Sequence, residues 1–177
     1  YNSASSQALS EILATATGIP TNVYAERHLF GPIGIHDYHW NTAPEGHTNA
    51  GGGLFLTASD LARFTWLYAQ NGMWDGEQIV PAEWVARSSR SAIPVYANDP
   101  DGWGYGYQWW IYRHKTASGP KMYGGWGWGG QFPLIVPELD LIAVFTGWNI
   151  QESDEFNYAY AFDLFYDRIV TSVSAPK

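Results

Sequence analysis

Residues 123–148, YGGWGWGGQFPLIVPELDLIAVFTGW, hold two runs of β-branched and aromatic residues, QFPLIV and LIAVFTGW, on either side of a short break. Such runs bounded by turn residues predict strands. PELD at 137–140 supplies the Pro and Asp of a tight turn. A connection that short predicts an antiparallel pair. Gly124–Gly130 packs two Trp and five Gly together. By composition alone that run reads equally as a linker, a sugar-binding platform or one wall of an active site. Pro133 has no N–H to give a ladder and predicts a bulge or an edge position.

Working outward, YGYQWWIYR (105–113) reads as a third strand, with KTASGP (115–120) as a hairpin tip. Alternation along it would set Tyr105, Tyr107 and Trp109 on one face and Gly106, Gln108 and Trp110 on the other. From Ser153 to about Val173 the pattern turns helical, with Phe162, Phe165, Tyr166, Ile169 and Val173 on one face. Asp154 and Glu155 in its first turn complement the helix dipole. The front of the chain is also helical. Leu9, Ile12, Leu13 and Ala16 recur at helical spacing, Ser residues offer N-caps, and Gly18 is a C-cap before Pro20. A second short helix follows Thr21 and stops at Gly31-Pro32; residues 31–53 read as a long ordered loop. Thr57 caps a third helix with Asp60 three residues on, and Leu61, Phe64 and Tyr68 form its buried stripe. Pro81 opens a fourth, PAEWVARS. The expected fold class is α/β (α+β): a mostly helical part over about residues 1–100, then three antiparallel strands and a C-terminal helix over about 101–177.

The composition excludes several classes of function. With 46% hydrophobic and 15% charged residues the chain is no disordered tail, and 177 residues suffice for one domain with a sizeable core. A net charge of -8 and the lack of any basic run argue against nucleic acid. No apolar run in these residues approaches a membrane span, and any targeting segment is expected to have been lost with the missing front. The absence of Cys removes disulfides and thiolate metal sites. The chain opens on Tyr1 rather than Met, so a processed or excised piece is expected.

Three longer stretches carry a resemblance. GGGLFLTASDLARFTWLYAQNGMWDGEQIVPAEWV (51–85), YGYQWW (105–110) and GWGGQFPLIVPELDLIAVFTGWN (127–149) resemble serine hydrolases of the β-lactamase and penicillin-binding-protein type. The nearest likeness is to the class C β-lactamase-like esterases and amidases, a group that includes the 6-aminohexanoate-dimer hydrolases. The resemblance implies a β-lactamase/transpeptidase-like fold of which this chain is the C-terminal portion. It also implies ester or amide hydrolysis through an acyl-enzyme on a small-molecule substrate, without metal or organic cofactor, in a periplasmic or secreted setting. Such enzymes use a Ser-x-x-Lys nucleophile motif, a Tyr-x-Asn or Tyr-x-Ser motif, and a Lys-Thr-Gly-like triplet on a strand.

Tyr1-Asn2-Ser3 matches the second motif and Gly125-Trp126-Gly127 the third. Carried over, Tyr1 is the general base and acid and Ser3 a polar partner. The Trp128 N–H is one oxyanion donor, and Gly125, Trp126 and Gly127 form the substrate-binding edge. In the family the first motif lies upstream of the Tyr, where this chain begins, so the isolated chain is expected to be inactive. Gly125 stands where relatives carry Lys or His, which favours substrates without a carboxylate. The strand LIAVFTGW would normally pair with a strand from the missing front. Self-association, or pairing with that N-terminal portion, is therefore expected.

Some sequence matches are decoys. Ser118-Gly119-Pro120-Lys121 fits Ser-x-x-Lys by letters, but Gly-Pro forbids the helical turn. SAPK at 174–177 is a chain end, and YAN at 96–98 lies in a Pro/Asp-rich loop. His36 and His39 in HDYH lack a third metal ligand, and His47 reads as a loop residue. A different class of function, a binding module using an aromatic cleft for glycans or peptides, rests on the density of Trp and Tyr in residues 101–130.

Overall fold

Asn2 opens the first helix in the computed structural model, which describes residues 1–95, 103–112, 119–147 and 159–174. Its side chain accepts from the Ser5 N–H at 3.1 Å, so Asn rather than Ser provides the N-cap. Asn places its carbonyl oxygen where a helix's free amides converge. The helix α1 spans Ser3–Thr17 and ends at Gly18 with a left-handed φ of 73°. Next come α2 (Thr21–Ala25), prolonged by a π-helical turn Glu26–Phe30, then α3 (Ala58–Ala69) and α4 (Ala82–Ser88). The described residues form two compact units, Tyr1–Val85 and Ala86–Lys177.

In the first unit, residues 31–53 are more regular than an unbroken loop. β1 (His39–Trp40) pairs with β2 (Leu54–Phe55), and a bridge joins Thr42 to Thr48. Thr57 caps α3 reciprocally: its hydroxyl accepts from the Asp60 N–H and donates to the Asp60 carboxylate. The buried face of α3 differs from the expected stripe. Leu67, Thr65 and Tyr68 are buried, whereas Leu61 and Phe64 are half-buried. Thr65 can face inward because its hydroxyl donates to the Leu61 carbonyl one turn back, at 2.6 Å. Leu67 joins Phe30, Ile33 and Ile35 in the core of this unit. After α3, β3 (Met73–Trp74) and β4 (Glu77–Gln78) form a hairpin.

The second unit is a six-stranded antiparallel sheet, in the order β10-β9-β8-β7-β6-β5. Its strands are β5 (Ile93–Pro94), β6 (Gly104–Tyr105), β7 (Trp110–Tyr112), β8 (Met122–Gly124), β9 (Phe132–Val136) and β10 (Leu141–Phe145). The stretch 105–113 is therefore not one strand. Gln108 takes a positive φ of 68° and Gly106 N–H donates to the Trp109 carbonyl, so the chain reverses between β6 and β7. Face alternation across 105–110 is lost with it. Pro137–Leu139 makes a single 3₁₀ turn, and Asp140 closes it in the left-handed region at φ 48°. Asp tolerates that region because its short polar side chain can bond locally.

One face of this sheet carries Tyr112, Met122, Phe132, Leu134 and Val136, packed on Phe162, Phe165, Tyr166 and Val170 of the C-terminal helix. That helix runs as α5 (Ala159–Leu164), a π-helical segment Phe165–Val170, and α6 (Thr171–Ser174). Ile169 and Val173, expected on the buried face, are 40% and 50% exposed, and Val170 replaces them. The π segment is the cause. Bonding to the fifth residue rather than the fourth inserts an extra position and rotates everything beyond it. Residues 153–158 of the expected helix, the tip at 115–118 and the YAN stretch lie outside the described residues, as do Lys177 and its neighbours of the SAPK stretch.

Candidate active site

The two motifs fall in different units, and each has its own supporting structure. In the first unit, α1 presents an unusual buried face: Ser6 and Ser10 are buried, while Leu9 and Ile12 are 52% and 62% exposed. The polar face is inward because it is hydrogen-bonded to the segment leading to the GGG run. Ser10 Oγ and Gln7 Nε2 both donate to the Thr48 carbonyl, at 2.9 and 3.2 Å. Gln7 Oε1 accepts from the Ala50 N–H, and the Thr48 hydroxyl is held between the Asn22 backbone N–H and the Asn22 side-chain oxygen. Thr21 Oγ1 donates to the Ser10 carbonyl at 2.8 Å. Buried hydroxyls satisfied in this way fix a loop in one place.

That network sets Gly51 beside the first motif. Tyr1 Oη donates to the Gly51 carbonyl at 3.1 Å, and a Cβ on Gly51 would lie 2.8 Å from the Ser3 carbonyl oxygen. Tyr1 and Ser3 are both exposed. A phenol that is accessible, ordered through one hydrogen bond and fastened to a helix start can exchange a proton with an approaching hydroxyl. Of the histidines, His39 lies 2.8 Å from the Asn41 side-chain oxygen and stacks obliquely on Phe55, while His36 and His47 are exposed. Among the described residues, no three His, Cys, Asp or Glu side chains gather as a metal site would require.

In the second unit, Gly125-Trp126-Gly127 continues β8 past its last ladder pair and pairs with the start of β9. Gly125 N–H donates to the Pro133 carbonyl at 3.0 Å and Gly127 N–H to the Gln131 carbonyl at 2.8 Å. The chain then turns through Trp128, Gly129 and Gly130, the two glycines at φ 90° and 108°. L-residues rarely adopt that backbone, which is why two Gly stand in succession. The tip is tied down from β10's end: the Gln131 side chain donates to the Gly147 carbonyl, and a Cβ on Gly147 would lie 2.9 Å from the Gly129 carbonyl oxygen. Trp126 turns its ring into the core, 5.5 Å from Trp110 and 5.4 Å from Phe162. Trp128 is 72% exposed. The turn's internal bonds use the Gly127 and Gly130 amides, and the Trp128 N–H donates to no described residue.

Pro133 sits in the middle of the described sheet rather than at an edge, opposite Val144 of β10. Its missing N–H falls on the β8 side, one residue beyond the last β8–β9 ladder pair, Gly124 with Leu134. The ring has a second effect, because a Cβ at position 125 would lie 3.0 Å from Pro133 Cγ and 3.2 Å from Cδ. The space where a Lys or His side chain would start is thus flanked by a rigid ring.

The aromatic run preceding this motif is largely consumed by packing. Trp109 is 6% exposed and meets Tyr123 edge-on at 5.3 Å, while Trp110 meets Tyr105 edge-on at 5.0 Å. A flat stacking platform along 105–110 is not what these residues form. Sequence reading passed over Gly51, Thr48, Gln7, Ser10 and Gln131, which orient the two motifs. Ser6, Gln7 and Ser10 lie at helical spacing on one face of α1, and that polar spacing was the available signal.

The sequence matches the Beta-lactamase family over residues 1–163. A candidate 6-aminohexanoate-dimer hydrolase from Bacillus anthracis shares the fold at a TM-score of 0.84 and 24% identity, covering 100% of this chain and 45% of that one. The octameric penicillin-binding protein homologue from Pyrococcus abyssi aligns at 0.67 and 22% identity, covering 90% and 40%. A beta-lactamase from Mycobacterium bovis aligns at 0.69 and 20% identity, covering 94% and 63%. The chain therefore spans less than two thirds of the length of these solved structures. No curated protein matches it. From the family match over most of its length, and from a fold shared with hydrolases and penicillin-binding proteins, this chain belongs to the beta-lactamase family.

Proposed function

We propose that this chain is the C-terminal part of a serine hydrolase that cleaves ester or amide bonds through an acyl-enzyme, its Ser-x-x-Lys nucleophile lying on polypeptide outside these 177 residues. The carrying observation is the Gly127–Gln131 turn, which leaves the Trp128 N–H out of both internal bonds at an exposed, glycine-shaped tip. Attack of a serine oxygen on a carbonyl carbon moves an electron pair onto the carbonyl oxygen, and a fixed N–H aimed there lowers the barrier. Removing one such donor typically costs about 100- to 1000-fold in turnover.

In this reading Tyr1 takes the serine proton and returns it to the leaving group. Ser3 is a polar neighbour, and the Gly125–Trp126–Gly127 backbone lies along the substrate. With Gly125 in place of a cation and the Pro133 ring beside it, the favoured substrates are esters or amides without a carboxylate at that edge. β10 ends the described sheet with its outer edge unpaired, and α1 exposes Leu9 and Ile12. Both surfaces support completion by a further segment or a second chain.

The test is hydrolysis of a p-nitrophenyl ester. The 177-residue chain alone should give no turnover. The same chain continuous with an upstream Ser-x-x-Lys segment should turn over and be labelled covalently by a fluorophosphonate. Turnover by the chain alone that Tyr1→Phe abolishes would overturn the need for an upstream nucleophile.

A further inference from the structure

A separate hollow of about 300 Å³ opens in the first unit between the end of α3 and the β3–β4 hairpin, lined by Trp66, Gln70, Met73, Trp74, Asp75 and Gly76. None of these residues belongs to either motif of the proposed hydrolase site. Trp66 is 37% exposed and Met73 41% exposed, so both side chains are accessible from solvent. Trp74 is partly buried against the core of its unit, so its indole is held in place. The frame is rigid. Gln70 N–H donates to the Trp66 carbonyl at 2.9 Å and Met73 N–H to the Gln70 carbonyl at 3.1 Å, tying helix to strand through the intervening turn. Asp75 and Gly76 both take positive φ, 47° and 85°, the geometry of a tight two-residue hairpin turn. Asp75 makes no ion pair or hydrogen bond among the described residues, and Glu77 is the register partner of Trp74.

Two indoles, a thioether and a free carboxylate around one small preformed hollow favour one ligand chemistry over its rivals. A pyranose exposes several hydroxyls, each needing a partner once water is removed, and only Gln70 and Asp75 offer polar side chains here. An apolar group would fit the rings but leave the Asp75 carboxylate beside it without compensation. A weakly hydrated organic cation needs no hydrogen bonds, is attracted by indole faces and is matched by the carboxylate. The chain's net charge of -8 adds a long-range attraction of the same sign. We propose that this hollow is a binding site for a methylated ammonium group.

The test uses choline and its uncharged carbon isostere, 3,3-dimethylbutan-1-ol, titrated into the 177-residue chain while the indole N–H signals of Trp66 and Trp74 are followed by NMR. Choline should shift both signals saturably, and the isostere should bind about two- to fivefold more weakly, the range for a partly exposed cation–π site. Asp75→Asn should weaken choline by a similar factor while preserving the turn, because Asn adopts the left-handed region as readily as Asp. Trp66→Leu, on the exposed helix face, should weaken it likewise with unchanged far-UV circular dichroism. Equal binding of the isostere, tighter binding of cellobiose than of choline, or no saturable shift below roughly 100 mM choline would each overturn the proposal.

Discussion

Tyr112 offers the sharpest test of how the second unit is held together. The residue is 2% exposed, its ring meets Trp103 edge-on at 4.6 Å and Phe162 at 4.5 Å, and its hydroxyl has no hydrogen-bond partner among the described residues. Phe in its place keeps both ring contacts and removes only the oxygen. A buried hydroxyl without a partner costs about 1–3 kcal/mol. The void left behind, on the order of 15 Å³, costs about 0.4 kcal/mol at the usual cavity coefficient. Tyr112→Phe should therefore stabilise the chain by about 1–2 kcal/mol, moving a urea midpoint up by roughly 0.5–1 M. The same residue links stability to alkaline pH. Burial holds the folded phenol protonated far above its ordinary range, whereas the unfolded phenol titrates near about 10. Below that pH both states carry the proton and nothing changes. Above it the unfolded state releases the proton first, so stability falls by about 1.4 kcal/mol per pH unit for this group. Urea melts followed by circular dichroism at neutral pH and above pH 10 test both halves. Tyr112→Phe should flatten the alkaline decline by about one proton, leaving the shares of Tyr38 and Tyr166. Those two phenols are also raised, chiefly by burial, with Glu26 adding for Tyr38 and Glu138 and Asp167 for Tyr166. A loss of more than about 1 kcal/mol at neutral pH would mean that the hydroxyl is bonded, and the reasoning would fail.

Other positions carry predictions of their own. Gly72→Ala should destabilise by about 3 kcal/mol or more in the same melts, because φ is 82° and the added Cβ would lie 1.9 Å from the Val80 carbonyl oxygen. Asn2→Ala should cost about 1 kcal/mol and raise amide hydrogen exchange in the first turn of α1, with Asp at that position restoring protection. If β10 is an open edge, the chain should sediment heavier than a monomer and Val144→Lys should shift it toward monomer. A wild-type chain that is monomeric at all concentrations would count against the pairing proposal.

Much of the fold is legible in local sequence because local chemistry decides it. Thr57 with Asp60 caps a helix whatever surrounds it, and PELD turns the chain between β9 and β10 by its own stereochemistry. Reading failed where a decision is made over longer distances. Nothing local says that 105–110 reverses at Gln108, because apolar alternation looks the same in a strand and in a tight hairpin. The C-terminal stripe slipped from Ile169 to Val170 because a π turn changed the helical step.

The site divides in the same way. Tyr1-Asn2-Ser3 and Gly125-Trp126-Gly127 stand out as residue patterns, and the double glycine after Trp128 already calls for a backbone that only Gly adopts freely. Tertiary structure alone sets Gly51 under the Tyr1 hydroxyl, since that depends on Thr48 being gripped from α1, 38 residues away from Ser10. It alone puts Pro133 against Gly125 and turns the Trp126 ring inward while Trp128 faces out. The physical reason is range. Capping, turn and φ preferences act within a few residues and are written in the chain, whereas burial and hydrogen-bond partnership are settled only when distant segments compete for the same space.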